Sequence, residues 1–162
     1  MTMAQKPGWS LPRGHGLSLA LFIIAVAGGG ILIGYLTAPG EWYAALEKPW
    51  FNPPAWLFGP VWSILYVMIA IAGWRTFHRD RHGMALKLWL IQILLNFLWT
   101  PVFFGARQPG LALLVILPLL GLILAFIAVN WTRDRLSALL FVPYAAWVAF
   151  ATLLNASIWL LN

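Results

Sequence analysis

Charged residues are so sparse along this chain that they divide it into five long uncharged runs. The runs are Gly14–Gly40, Pro49–Trp74, Leu88–Ala106, Gln108–Thr132 and Leu136–Asn162, each 19 to 27 residues long. A helix crosses a hydrocarbon core of about 30 Å with about 20 apolar residues. Of the 162 residues, 62% are hydrophobic and 9% are charged. A soluble domain carries about 25% charge, so this composition cannot supply the surface of a soluble enzyme or a DNA-binding domain, and it is too apolar for a disordered chain. Backbone groups in lipid must be satisfied within the chain, which leaves helices or a closed barrel. Barrel strands alternate polar and apolar residues, but Leu111–Phe126 is apolar on every side. The expected fold class is an all-α membrane protein, a bundle of five transmembrane helices. Spans are predicted near Leu17–Ala38, Ala55–Phe77, Met84–Phe104, Gly110–Trp131 and Leu136–Leu160. Residues 1–16 read as an amino-terminal extension and 17–162 as one transmembrane domain.

The first run also invites a signal-peptide reading, since Lys6 and Arg13 precede it and Ala25-Val26-Ala27 resembles a cleavage site. The apolar stretch continues through Ile31, Leu32, Ile33, Tyr35 and Leu36, which favours a retained helix. Eight of the 10 Lys and Arg residues fall on one side of a five-helix chain: Lys6, Arg13, Arg75, Arg79, Arg81, Lys87, Arg133 and Arg135. Only Lys48 and Arg107 fall on the other. The positive-inside rule then makes the amino terminus cytoplasmic and the carboxyl terminus external in a plasma membrane. The same asymmetry accounts for the net charge of +6, and the short loops leave little room for a nucleic-acid site. No cysteine is present, which removes disulfides and thiolate chemistry. His78 and His82 are four apart, but among Arg79, Asp80 and Arg81 they read as a solvated basic loop, so no metal site is expected.

None of the spans carries an Asp, Glu, Lys or Arg in its middle. Coupled pumps keep ionisable groups inside the membrane, and acid–base catalysis needs them too, so active transport and conventional catalysis are disfavoured. What remains is aromatic and amide: 11 Trp, 10 Phe and 4 Tyr. Trp9, Trp74, Trp131 and Trp159 read as interfacial anchors. Trp62, Trp99 and Trp147 lie nearer polar residues and prolines, and such rings can line a pocket for a flat apolar ligand. Gln92, Asn96 and Thr100 recur every four residues beside Trp99 and Phe103, and Tyr144, Trp147, Ala151 and Asn155 share a second face. Amides are costly in lipid, so both stripes should face inward, as interhelical hydrogen bonding, a ligand cavity, or both.

Gly30 and Gly34 make a small-xxx-small pair that allows close helix approach, within the monomer by default and otherwise at a homodimer seam. Pro118 and Pro143 are expected to kink their helices or shift local hydrogen bonding. The longest connection, about Pro39 to Pro54, mixes Glu41, Glu47 and Lys48 with Trp42, Trp50 and Phe51. A merely solvated loop has no use for those rings, so it is expected to fold back as a lid over the bundle mouth.

Five segments taken together resemble the TspO/MBR family, the tryptophan-rich sensory proteins that include the mitochondrial translocator protein, or peripheral benzodiazepine receptor. They are Glu41-Trp42-Tyr43 with Lys48-Pro49-Trp50-Phe51-Asn52-Pro53-Pro54, then Trp62-Ser63-Ile64-Leu65-Tyr66. Next come Asn96-Phe97-Leu98-Trp99-Thr100-Pro101-Val102-Phe103-Phe104-Gly105 and Phe141-Val142-Pro143-Tyr144-Ala145-Ala146-Trp147, the last running on to Asn155. The resemblance covers roughly residues 17 to 157. It implies five helices around a cavity closed by the first loop. It also implies binding of protoporphyrin IX and haem, and of benzodiazepine-type drugs. By motif position Trp62 resembles the pocket tryptophan of the second helix and Asn96 the polar contact of the third. Trp147 and Ala151 match the fifth-helix tryptophan and the small residue a turn later, and Trp42 and Trp50 match loop aromatics over the ligand. Tyr66, Trp99 and Tyr144 complete the expected binding set. Lys48 at the rim is the expected partner of porphyrin carboxylates, on charge and position. Animal members follow the fifth-helix Asn with a Tyr and an Arg of a cholesterol-recognition segment. Neither follows Asn155 here, which leaves cholesterol binding doubtful and suggests a bacterial member.

The resulting expectation is a tetrapyrrole-binding membrane sensor or regulator with porphyrin as ligand, no obligatory cofactor, and the lipid bilayer and tetrapyrroles as partners. The alternatives are a light- and oxygen-dependent porphyrin-degrading enzyme, in which Trp62 and Trp147 take part and the ligand supplies the photochemistry, and a facilitator of porphyrin transport. An outer-membrane location would change the meaning of the two sides.

Overall fold

The computed structural model describes residues 15–162. Lys6, Trp9 and Arg13, used above for topology and anchoring, lie outside the described residues. Six α-helices follow in order: α1 His15–Leu36, α2 Glu41–Ala45, α3 Phe58–Arg79, α4 Met84–Thr100, α5 Pro109–Arg133 and α6 Arg135–Leu161. A 3₁₀ turn over Ala55–Leu57 leads into α3, and a π-helical turn over Pro101–Gly105 follows α4. Five segments are long and apolar enough to cross a membrane: Gly16–Leu36, Ala55–Arg79, Met84–Gly105, Pro109–Arg133 and Arg135–Leu161. The chain is therefore an all-helical, multi-pass membrane protein.

The predicted spans fall short at their basic ends. Arg79, Arg133 and Arg135 belong to helices, because an arginine at a helix end keeps its head in the interface while its stem stays on the apolar surface. At carboxyl ends the cation also meets the helix dipole favourably. The third span is not one α-helix to Phe104. Pro101 marks the change to wider winding, and Ala106 N–H reaches the Pro101 carbonyl at 2.8 Å. Helices α5 and α6 continue through Pro118 and Pro143.

Around the bundle α1 packs on α3, α3 on α6, α6 on α5 and α5 on α4, and α4 returns to α1. The buried positions explain this order. In α5 they are Ala112, Ile116, Leu119, Ile123, Phe126 and Asn130, and in α6 they include Phe141, Tyr144, Val148, Ala151, Asn155 and Ile158. Steps alternating between three and four keep one seam of each helix against its neighbour. The outward faces stay apolar, as at Leu114, Leu117 and Leu124, because lipid rather than water is the solvent. Close packing at the seams therefore carries the specificity. Phe126 stacks on Phe141 with ring centres 4.0 Å apart. Trp89 lies on Gly73, where a Cβ would overlap its indole, and donates to the Ile69 carbonyl at 2.9 Å.

The α3–α4 and α5–α6 connections lie at one end of the bundle and gather Arg79, Arg81, Lys87, Arg133 and Arg135 there. Arg75 on α3 reaches across to Asp134 with two hydrogen bonds of 3.0 and 2.8 Å. Ser137 donates to the same carboxylate at 2.7 Å. Burial opposes ionisation of Asp134, but these donors and the arginine charge outweigh it and hold its pKa below the ordinary range. That end is fastened tightly. The opposite end opens into a cavity.

Candidate functional site

The cavity holds about 710 Å³, within the range of small-molecule sites. It is walled by α1, the first connection, the starts of α3, the ends of α4 and α6, and the π-helical turn. Helix α5 contributes nothing to it. The wall of α1 is made by Gly30, Ile31 and Gly34, continued by Thr37 just beyond the helix. Gly30 is needed there because a Cβ would overlap the Tyr66 ring, whereas nothing lies within 4 Å of a Cβ at Gly34. The small-xxx-small pair thus packs inside the monomer at its first member and faces the cavity at both.

Three tryptophans line the space, Trp62 from α3, Trp99 from α4 and Trp147 from α6. Trp62 stacks on Tyr66 at 5.3 Å and 29°. Trp147 meets Phe58 edge-on at 5.8 Å, and Trp99 lies against Phe103 at 5.3 Å. Helical spacing explains the two pairs made within one helical stretch, since Trp62 precedes Tyr66, and Trp99 precedes Phe103, by four residues. Trp99 donates its indole N–H to Asn155 at 3.1 Å, and Asn155 donates onward to the Pro109 carbonyl at 2.8 Å. The Trp147 indole N–H is buried without a hydrogen-bond partner.

Of the nine residues in the expected binding set, Trp62, Tyr66, Trp99, Trp147 and Ala151 line the cavity together. The other four lie elsewhere. Asn96 and Tyr144 stand behind Tyr66, 3% and 0% exposed. Tyr66 donates to Asn96 at 3.2 Å, Asn96 to Tyr144 at 2.9 Å, and Tyr144 to Gln92 at 2.9 Å. Trp42 packs edge-on against Phe103, outside the lining. Trp50 is 95% exposed and touches the neighbouring ring of Phe51. Phe51 turns inward instead, onto Phe150. The two successive rings point opposite ways, and sequence alone does not choose between them.

The first connection folds back onto the bundle through its own contacts. Tyr43 meets Phe104 at 5.2 Å and donates to Asn52 at 3.3 Å. Burial pushes the Tyr43 pKa up, so its hydroxyl keeps the proton it donates. Lys48 lines the cavity but is engaged locally. Its ammonium donates to the Ala44 and Leu46 carbonyls at 3.1 and 3.0 Å and lies 4.8 Å from the Tyr43 ring centre. Asn162 clasps the backbone of Glu47, accepting from its N–H and donating to its carbonyl, each at 3.0 Å. Tyr43, Asn52, Phe58 and Phe104 line the site although none belongs to the expected binding set. For Phe58 the four-residue spacing to Trp62 was an available signal. Tyr43 and Asn52 stand in the segments that resemble the family, but their placement depends on the path of the connection. No group of three or more His, Asp or Glu side chains suited to a metal occurs among the described residues.

Comparison with known proteins matches residues 21–160 to the TspO/MBR family. The chain is 39% identical over 147 residues to protein CrtK of Rhodobacter capsulatus, covering 88% of this chain and 91% of that one. It is 37% identical over 145 residues to a tryptophan-rich sensory protein of Cereibacter sphaeroides, covering 90% and 92%. It is also 37% identical over 138 residues to the human translocator protein, covering 80% and 82%.

Proposed function

This chain belongs to the TspO/MBR family, and on that footing we propose that it is a membrane sensor or regulator whose cavity binds a tetrapyrrole such as protoporphyrin IX or haem, and flat drug-like molecules of the benzodiazepine class. The names of similar chains, tryptophan-rich sensory protein and translocator protein, support a sensory or translocating role. The observation that carries the ligand reading is the convergence of Trp62, Trp99 and Trp147 on one cavity of about 710 Å³. Indole faces suit a large flat π-system, and aromatic contact adds about 0.5–1.5 kcal/mol per pair beyond buried area. The first connection acts as the lid, with Tyr43 and Phe51 rather than Trp50 as its inward rings. A porphyrin carboxylate approaching Lys48 competes with the Ala44 and Leu46 carbonyls. The basic end faces the cytoplasm and the cavity opens on the other side, by the distribution of Lys and Arg, with a bacterial membrane as the host.

The test is a dark titration of detergent-solubilised protein with protoporphyrin IX, following porphyrin absorbance, beside a Trp62→Phe/Trp147→Phe double variant. Saturable binding weakened at least tenfold in the variant is expected. Equal, non-saturating signals in both mean partition into detergent and reject the reading.

Porphyrin degradation in light is the second reading, favoured by Trp62 and Trp147 lining the same space. Here the excited porphyrin is oxidised by oxygen, and Trp62 and Trp147 hold the macrocycle where it reacts. Illumination with and without oxygen separates it from binding alone. Bleaching at the rate of free porphyrin in detergent removes it.

A further inference from the structure

Behind the cavity wall runs a directional chain of hydrogen bonds that no cavity ligand touches beyond its first member. Tyr66 lines the cavity and donates to Asn96, Asn96 to Tyr144, and Tyr144 to Gln92. The chain ends badly. The Gln92 Nε2 group is buried without an acceptor, in a side chain that is 0% exposed. A buried donor left unpaired is costly.

The same heavy-atom positions support the opposite direction. Each hydroxyl donates and accepts, and each amide presents a donor or an acceptor when turned by 180° about its last bond. In the reversed chain Gln92 donates to Tyr144, Tyr144 to Asn96, and Asn96 to Tyr66. The unpaired donor then moves from the sealed interior to the Tyr66 hydroxyl, at the cavity surface. Gln92 is left with an under-used carbonyl oxygen, which proteins tolerate better than an orphaned N–H. Reversal therefore pairs the Gln92 N–H at the expense of the Tyr66 hydroxyl, and every donor is paired only when something in the cavity accepts from Tyr66.

Resting on the reading that the cavity takes a flat aromatic ligand, we infer that this chain makes the site select ligands with a hydrogen-bond acceptor beside Tyr66, and that Gln92 is the positioning residue that sets the strength of the preference. A ligand carbonyl accepts a hydrogen bond from the Tyr66 hydroxyl and stabilises the reversed direction. A hydrocarbon of the same shape leaves the chain as it stands, with the Gln92 amide unpaired. The buried Trp147 N–H, also unpaired on the cavity wall, favours an acceptor-bearing ligand as well.

Fluorenone and fluorene differ only in a carbonyl replacing a methylene, and they serve as the probes. Their affinities are measured on the full chain in detergent, for wild type, Tyr66→Phe and Gln92→Met. Each ratio is compared with wild type, so that differing detergent partition cancels. In Tyr66→Phe the ketone loses about fivefold of its advantage. In Gln92→Met the advantage widens about threefold, because Tyr144 then has only Asn96 to donate to and the reversed direction is enforced. The carbonyl stretch of bound fluorenone moves to lower wavenumber in wild type, and the shift diminishes in Tyr66→Phe. A purely structural Gln92 predicts the contrary, equal weakening of both compounds. That result, or an unshifted carbonyl stretch in wild type, overturns the inference. Should Gln92→Met fail to fold, Tyr66→Phe and the infrared shift still decide it. If neither compound saturates the wild type the inference also falls, while the porphyrin titration decides the cavity reading separately.

Discussion

Trp99 and Asn155, 56 residues apart, are joined by an indole N–H donated to an amide oxygen at 3.1 Å. The bond ties the end of α4 to α6, and Asn155 extends it to the carbonyl of Pro109 at the first residue of α5. Three helix ends thus meet at one amide on the cavity wall. Replacing Asn155 by Leu leaves the Trp99 N–H without its partner and removes the side-chain bond to the Pro109 carbonyl. A destabilisation of about 1–3 kcal/mol is expected, together with weaker porphyrin binding. Thermal unfolding followed by tryptophan fluorescence, beside the dark titration, checks both. Unchanged stability means that other groups replace the amide.

Gly30 and Gly34 separate packing from lining. A methyl group at Gly30 collides with Tyr66, which is itself held by Trp62 and Asn96. Gly30→Ala is expected to cost about 1–3 kcal/mol, as overpacking does, and to weaken ligand binding. Gly34→Ala meets nothing within 4 Å and is expected to leave unfolding within about 0.5 kcal/mol of wild type. Equal effects of the two substitutions count against the placement of Tyr66.

Asp134 makes the basic end acid-sensitive. Its folded pKa lies below the ordinary range, with burial opposed by the stronger effects of Arg75 and Ser137. The unfolded chain therefore binds the proton more readily, and stability rises with pH across the interval between the two values. The contribution is complete above the unfolded aspartate value of about 3.9 and disappears as pH falls through the lower folded value. Asp134→Asn is expected to lose about 1–3 kcal/mol at neutral pH, a buried-pair cost discounted for the partly exposed arginine. It should also flatten this part of the acid limb. Unfolding midpoints between neutral pH and the acid limit, for both proteins, provide the check.

The clasp of Asn162 on Glu47 holds the first connection against the end of α6. Asn162→Ala removes both bonds, with a third to the Ile158 carbonyl, at an exposed site, so a loss of at most about 1 kcal/mol is expected. Ligand exchange should accelerate more than affinity falls, since the bonds restrain the covering segment rather than the ligand. Stopped-flow porphyrin association and dissociation, with amide exchange at Glu47, measure it. Unaltered rates in both directions separate the clasp from ligand access.

The five spans were legible because a charge in lipid is so costly that Asp, Glu, Lys and Arg mark the ends of helices almost unaided. The inward stripes were legible for a related reason. Gln92, Asn96 and Asn155 carry amides that cannot face acyl chains, and all three are buried. Periodicity did not reveal depth within a stripe. Asn96 and Tyr144 share faces with cavity residues, yet they sit one layer behind Tyr66. Nor did it reveal the path of the first connection, where Phe51 turns in and Trp50 turns out.

The sequence by itself determined the class of molecule, the number of crossings and the apolar, aromatic character of what the bundle encloses. Those follow from one-dimensional quantities, the spacing of charges and the free energy of placing each side chain in lipid. Tertiary structure decided which rings share a wall, that Gly30 makes room for Tyr66, and that Asn155 and Asn162 fasten distant segments. Each of these is a contact between residues far apart in the chain. Helix periodicity limits which faces can meet, but depth, rotation and the course of a non-helical connection come from packing all five helices at once.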